Sequence, residues 1–190
     1  MTMSIGMNLS TEQLESPCLL ETIRRALESH PQVSAEDLVV NVSESRPVRS
    51  GSIAEAALSE LAASGVRIAL ANFGADRASL DELTRLPLSF LKLDQRMIAT
   101  MPSERRTRAV VGGVAQICQE VGISVVADGV RNEAEMAACW DAGVSFAQGP
   151  FVARPTRLEE ILESTHGEGS VDAQSSASFV CLNPRTVGAF

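Results

Sequence analysis

Apolar residues along the chain fall into two alternating kinds of run. Short, nearly continuous aliphatic runs predict strands at Ser4–Leu9, Asp37–Val42, Val66–Ala71, Ser89–Leu93, Ile123–Ala127 and Val144–Ala147. Between them, apolar residues recur every three or four positions, the period of one helix face. This predicts helices at Pro17–His30, Ile53–Ser64, Leu80–Leu86, Glu104–Val121, Asn132–Ala142 and Thr156–Glu163. Leu20, Ile23 and Leu27 form the apolar stripe of the first helix, and Val110, Val114, Ile117 and Val121 that of the long one. Pro17 suits a first helical turn, where its missing N–H is not needed. Gly65 closes the second helix.

Strands alternating with helices at this spacing predict parallel βαβ units, about six of them. Such a series builds either a doubly wound sheet or part of a (β/α)₈ barrel. No G-x-G-x-x-G or Walker sequence occurs, which disfavours a nucleotide-binding doubly wound sheet. The 190 residues suit one core. We read residues 1–165 as the folded domain and the Gly/Ser-rich residues 166–190 as a tail. Within that tail Phe179, Val180, Leu182 and Phe190 leave Ser178–Phe190 two options, docking on the body or hanging loose.

A polar residue stands at or just after the end of each predicted strand: Asn8, Asn41, Asn72, Lys92 with Asp94, Asp128 and Gln148. In a barrel those ends meet around one mouth, where active sites are built. The plainer alternative is that they cap the following helices, as Asp128 before Gly129 could. Lys92 resists that explanation, because a cation inside the apolar run Phe90-Leu91-Lys92-Leu93 needs a partner.

Composition removes several functions. A net charge of −8 argues against a nucleic-acid module. No apolar run approaches the roughly 20 residues of a spanning helix. The first ten residues, MTMSIGMNLS, lack the basic-then-apolar pattern of a secretory leader. The four cysteines, Cys18, Cys118, Cys139 and Cys181, form no CxxC pair, and only His30 and His166 could assist them. A zinc site is therefore not expected, and free thiols in a reducing cytoplasm are.

The strand-end residues also carry a resemblance. Asn8-Leu9-Ser10 with Gln13-Leu14 resembles N-L-S-x-x-Q-L, and Val40–Ser45 (VNVSES) resembles L-E-I-T-E-S. Ala71–Leu80 (ANFGADRASL) stands for D-D-F-G-T-G-Y-S-S-L. Leu86-Pro87 and Lys92-Leu93-Asp94 match L-P and K-I-D. Ala127–Arg131 (ADGVR) stands for A-E-G-V-E, and Gln148-Gly149-Pro150 through Arg154-Pro155 for Q-G-Y and R-P. In order and at suitable spacing, these motifs make the chain similar to the EAL family, the cyclic di-GMP phosphodiesterases of bacterial signalling.

The resemblance implies a (β/α)₈-type barrel in which active members hold two Mg²⁺ or Mn²⁺ ions and attack a phosphodiester with metal-activated water. Asn8, Lys92, Asp94 and Gln148 match the family's site residues. Asn41 replaces a Glu, Ala71 and Asn72 replace two Asp, Arg131 replaces a Glu, and Asp128 is a shortened Glu. The segment that gives the family its name is absent, and with it a metal ligand and a phosphate-gripping arginine. Arg154 and Arg77 could partly stand in for the latter. We therefore expect a degenerate module with no resident metal, Asp94 and Asp128 being the weak metal candidates. Asn8, Asn41, Asn72, Lys92, Asp94, Asp128, Gln148 and Arg154 would be pocket remnants. A regulatory protein partner is expected, with binding of cyclic di-GMP or weak phosphodiesterase activity as alternatives. Two bare sheet edges predict a homodimer or a complex.

Overall fold

The computed structural model describes residues 4–43, 47–75, 80–153 and 180–181. Six parallel strands follow one another in chain order: β1 (Ile5–Leu9), β2 (Leu38–Ser43), β3 (Arg67–Phe73), β4 (Phe90–Leu93), β5 (Ser124–Asp128) and β6 (Phe146–Gln148). Each pairs only with its neighbours, so the sheet curls into a half-barrel with helices outside. All six predicted strands are present within one or two residues of their predicted limits. A seventh strand, β7 (Val180–Cys181), pairs antiparallel with β6. Of the tail Ser178–Phe190, only this pair lies within the described residues, and it covers the β6 edge that was expected to be bare. β1 pairs with β2 alone among the described residues. The predicted helix Thr156–Glu163 lies outside them.

The helices are α1 (Thr11–Leu14), α2 (Leu19–Ser29), α3 (Ile53–Ala63), α4 (Leu80–Arg85), α5 (Gln95–Thr100), α6 (Arg105–Glu120) and α7 (Glu133–Asp141). A 3₁₀ turn over Ala35–Asp37 leads into β2. α3 and α7 start at side-chain caps: Ser52 accepts from Glu55 N–H at 3.2 Å, and Asn132 from Glu135 N–H at 3.0 Å. Each such cap contributes about 1 kcal/mol. In α1, Ser10 and Gln13 satisfy one another's backbone donors, a full capping box.

Alternation along the strands sorts side chains between two faces. Val40, Val42, Ile68, Leu70, Leu91, Leu93, Val125, Ala127 and Ala147 are at most 1% exposed and form the core with the helices. The core-forming stripe of α2 is as expected, with Ile23 buried and Leu20 and Leu27 packed against the core. That of α6 is not. Its buried residues are Val111, Val114, Ala115 and Cys118, while Val110, Ile117 and Val121 are 55%, 45% and 52% exposed. Gly112 and Gly113 within α6 each cost about 1 kcal/mol of helix stability relative to alanine.

The loop after β2 is tied down by charge. Arg85 of α4 pairs with Glu55 of α3 and donates to the Val48 carbonyl at 2.6 Å. Glu82, only 2% exposed, accepts from Val48 N–H at 3.3 Å. Burial pushes the Glu82 carboxyl above its usual range, against the opposing pull of the Val48 N–H and Arg85. After β6, Gly149 adopts φ +147°, and a Cβ there would sit 2.4 Å from the Val130 backbone. Only glycine lets these two mouth loops touch.

Candidate functional site

The concave face of the half-barrel holds the polar residues that the core rejects. Asn8 and Asn41 are paired neighbours on β1 and β2, both facing inward. β4 and β5 pair Lys92 with Val126, so Asp128 stands one inward position nearer the mouth. Asp128 and Gln148 are again direct neighbours. The Lys92 Nζ lies 3.5 Å from Asp128 Oδ2, with the lysine side chain 9% and the aspartate side chain 37% exposed. This supplies the partner that an inward lysine requires. Together with Ala71 and Asn72, these residues line a cavity of about 460 Å³.

The loop at Ala71-Asn72 owes its shape to Asn72, which takes φ +60° at the end of β3. Asparagine tolerates this left-handed conformation better than most side chains. The Asn72 carbonyl accepts from Ala75 N–H at 3.0 Å, closing the turn that contains Gly74. β3 and β4 shift register here, between Leu70 and Phe73.

One expected member of the constellation, Asp94, stands apart from it, and so does Arg131, the residue that replaces a family Glu. Asp94 caps α5: its Oδ1 accepts from the Arg96 backbone N–H at 2.8 Å and from Arg96 Nε at 2.9 Å. The capping alternative considered for Asp128 thus belongs to Asp94, while Asn132 caps the helix after Asp128. Arg131 turns back onto α7, its Nε 3.7 Å from Glu135 Oε1 and its backbone N–H donating to Glu135 Oε2 at 2.7 Å. Arg154 and Arg77 lie outside the described residues.

The cavity runs deeper than the strand ends suggested. Ser4, Gly6 and Val39 line its floor. Counting back by twos from Asn8 and Asn41 would have found them. Below them Arg67 donates to Ser4 Oγ and lies 5.4 Å above the Phe90 ring, which packs edge-on against Phe146 at 6.2 Å. Within this lining, the buried acceptors Asn41 Oδ1 and Gln148 Oε1 have no hydrogen-bond partner among the described residues. Among the described residues no cluster of three or more His, Cys, Asp or Glu side chains could hold a metal ion.

Comparison with known proteins places this arrangement in a family. The profile of the EAL domain matches residues 1–155. The bifunctional diguanylate cyclase/cyclic di-GMP phosphodiesterase MucR of Pseudomonas aeruginosa is 31% identical over 161 residues, which are 85% of this chain and 23% of MucR. The EAL enzyme Bd1971, solved with cAMP and cyclic di-GMP, superposes with a TM-score of 0.78 at 25% identity, over 85% of this chain and 42% of that one. The PaMucR phosphodiesterase in complex with cyclic di-GMP gives 0.75 at 30% identity, over 83% and 64%. The chain thus spans less than two thirds of each of these relatives. It belongs to the EAL domain family, as a partial EAL barrel.

Proposed function

We propose that this chain is a non-hydrolytic EAL module of cyclic di-GMP signalling that acts by binding rather than by cleavage. The observation that carries this reading is the state of Asp128. It is the one carboxylate among the described residues lining the cavity, and it faces the Lys92 ammonium at 3.5 Å. Attack on a phosphodiester by metal-activated water uses two dications about 3.5–4 Å apart. Hard dications at that spacing need several anionic oxygens to offset their mutual repulsion. Asn8 and Asn41 offer neutral carbonyls at most, and Ala71 offers nothing. The residues present do not fit a metal pair, and we derive no metal-dependent step.

A regulatory protein is the partner we favour, because β1 presents an edge paired on one side only among the described residues. Capture of cyclic di-GMP without hydrolysis is the second reading. It is favoured by Asn41 and Gln148, which line the cavity and whose buried acceptors lack partners among the described residues; rotation of either amide would present it to the N–H groups of a guanine or the hydroxyl of a ribose. Isothermal titration of the chain with cyclic di-GMP in the presence of EDTA separates the two. No heat of binding at ligand concentrations up to 1 mM, on the order of weak pocket affinities, supports the protein-binding reading. Saturable metal-free binding that Asn41→Ala weakens establishes the second.

A further inference from the structure

The cavity inside the half-barrel is balanced in charge. Among the described residues lining it, Lys92 is the one cation and Asp128 the one anion, and they stand 3.5 Å apart. The ammonium disfavours an entering cation, and the carboxylate an entering anion. The whole chain adds a net charge of −8, which repels anions at longer range. The rest of the polar lining is neutral: the side-chain amides of Asn8, Asn41, Asn72 and Gln148, and the Ser4 hydroxyl. Each amide offers a carbonyl acceptor and two N–H donors. Asn41 is only 8% exposed, and its Nδ2 lies 3.1 Å from where a Cβ on Gly6 would stand, so the glycine leaves room for it. Its Oδ1 has no partner among the described residues. A buried acceptor without a donor carries a desolvation cost that a ligand's donor removes. The described lining holds no aromatic ring, and Val39 and Ala71 are its largest apolar side chains.

We infer that this cavity holds an uncharged polyhydroxy ligand of sugar size, free or as the ribose of a nucleoside, and discriminates against phosphate esters. A hydroxyl both donates and accepts, so hydroxyls on successive carbons answer the carbonyls and the N–H groups of these amides together. The strand register sets Asn8 beside Asn41 at one side of the curved sheet and Asp128 beside Gln148 at the other. A ring carrying hydroxyls on both edges suits a space with polar pairs on two sides. The volume of about 460 Å³ is that of a small-molecule site. With no aromatic face on which to stack a base, the sugar ring is the part these residues grip. The inference rests on the proposed lack of a metal pair, because two dications would reverse the charge balance.

Titration of the chain in EDTA, followed by NMR through the Asn and Gln side-chain amide resonances, tests this. The probes are D-glucose, D-ribose, uridine and uridine monophosphate. We expect saturable shifts of Asn41 and Gln148 with a neutral probe. A free sugar that binds as tightly as uridine supports a sugar ligand, and tighter binding of uridine supports a nucleoside. Uridine monophosphate should bind more weakly than uridine by a factor of about ten. Asn41→Leu, which keeps the bulk and removes the amide, should weaken binding of the neutral probe by a factor of about ten. Asn8→Ala, at an exposed position, should weaken it with the rest of the spectrum unchanged. The inference is overturned if no neutral probe saturates, if the monophosphate binds as tightly as uridine in EDTA, or if neither variant weakens binding. Tight binding of the monophosphate only when Mg²⁺ replaces EDTA would instead overturn the non-hydrolytic reading, so the two failures are distinguishable.

Discussion

Lys92 and Asp128 show what a single pair of side chains decides. Lys92 is 7% exposed in the middle of β4, so its charge persists there only with compensation nearby. We expect Asp128→Asn to lower stability by about 1–2 kcal/mol, less than for a fully buried pair because Asp128 is over a third exposed. Urea denaturation measures it. Lys92→Met should cost less, since the remaining aspartate can hydrate. The need for a partner was legible in Phe90-Leu91-Lys92-Leu93. The partner's identity was not, because it stands on the next strand and only the β4–β5 register brings the two together. Asp94 illustrates the reverse: its position in a motif suggested the cavity, and its local bond to the Arg96 N–H makes it a cap.

Glu82 gives a prediction in pH. Its folded pKa is raised by burial, so the folded state holds this proton more tightly than the unfolded chain does. Glu82 therefore favours folding below the ordinary carboxylate pKa. That contribution is lost as pH rises through the raised folded value, leaving a cost at neutral pH. Glu82→Gln should thus raise the urea midpoint at pH 7, and the gain should shrink toward pH 4. A Glu82→Gln protein no more stable than the parent at pH 7 would show that the Val48 N–H and Arg85 already offset the burial.

At the scale of elements, the runs of apolar residues placed all six parallel strands and five of the helices. Besides the 3₁₀ turn and β7, two short helices escaped. α5 (Gln95–Thr100) is a short helix started by a cap rather than by an apolar stripe, and α1 is a single turn held by its capping box. The orientation of α6 escaped for a different reason. Its sequence carries apolar residues around more than half the helix, so period alone allows two faces. Packing chose the one with Val111, Ala115 and Cys118, where small side chains let the helix lie close to β5. Burial there pushes the Cys118 thiol up to about 11, consistent with a packing role. Gly113→Ala should raise stability by about 1 kcal/mol, because the added methyl meets nothing and the helix gains propensity. Chemical denaturation reads this.

Across the whole molecule, the topology puts β1 beside β2, and the described residues lining the cavity carry one lysine and one aspartate among neutral side chains. The fold class was legible because βαβ units are local. The cavity floor at Ser4, Gly6 and Val39 was legible in the two-residue period of β1 and β2, but carries no polar strand-end signal to draw attention to it. Family membership explains the shape of the mouth, and the neutral residues Asn41, Ala71 and Asn72 are the basis of the non-hydrolytic function we propose. The most direct test is incubation of the pure chain with cyclic di-GMP and Mg²⁺ or Mn²⁺, followed by chromatography for the linear product. We predict no product above the protein-free control. Metal-dependent turnover that Lys92→Ala abolishes would contradict the account.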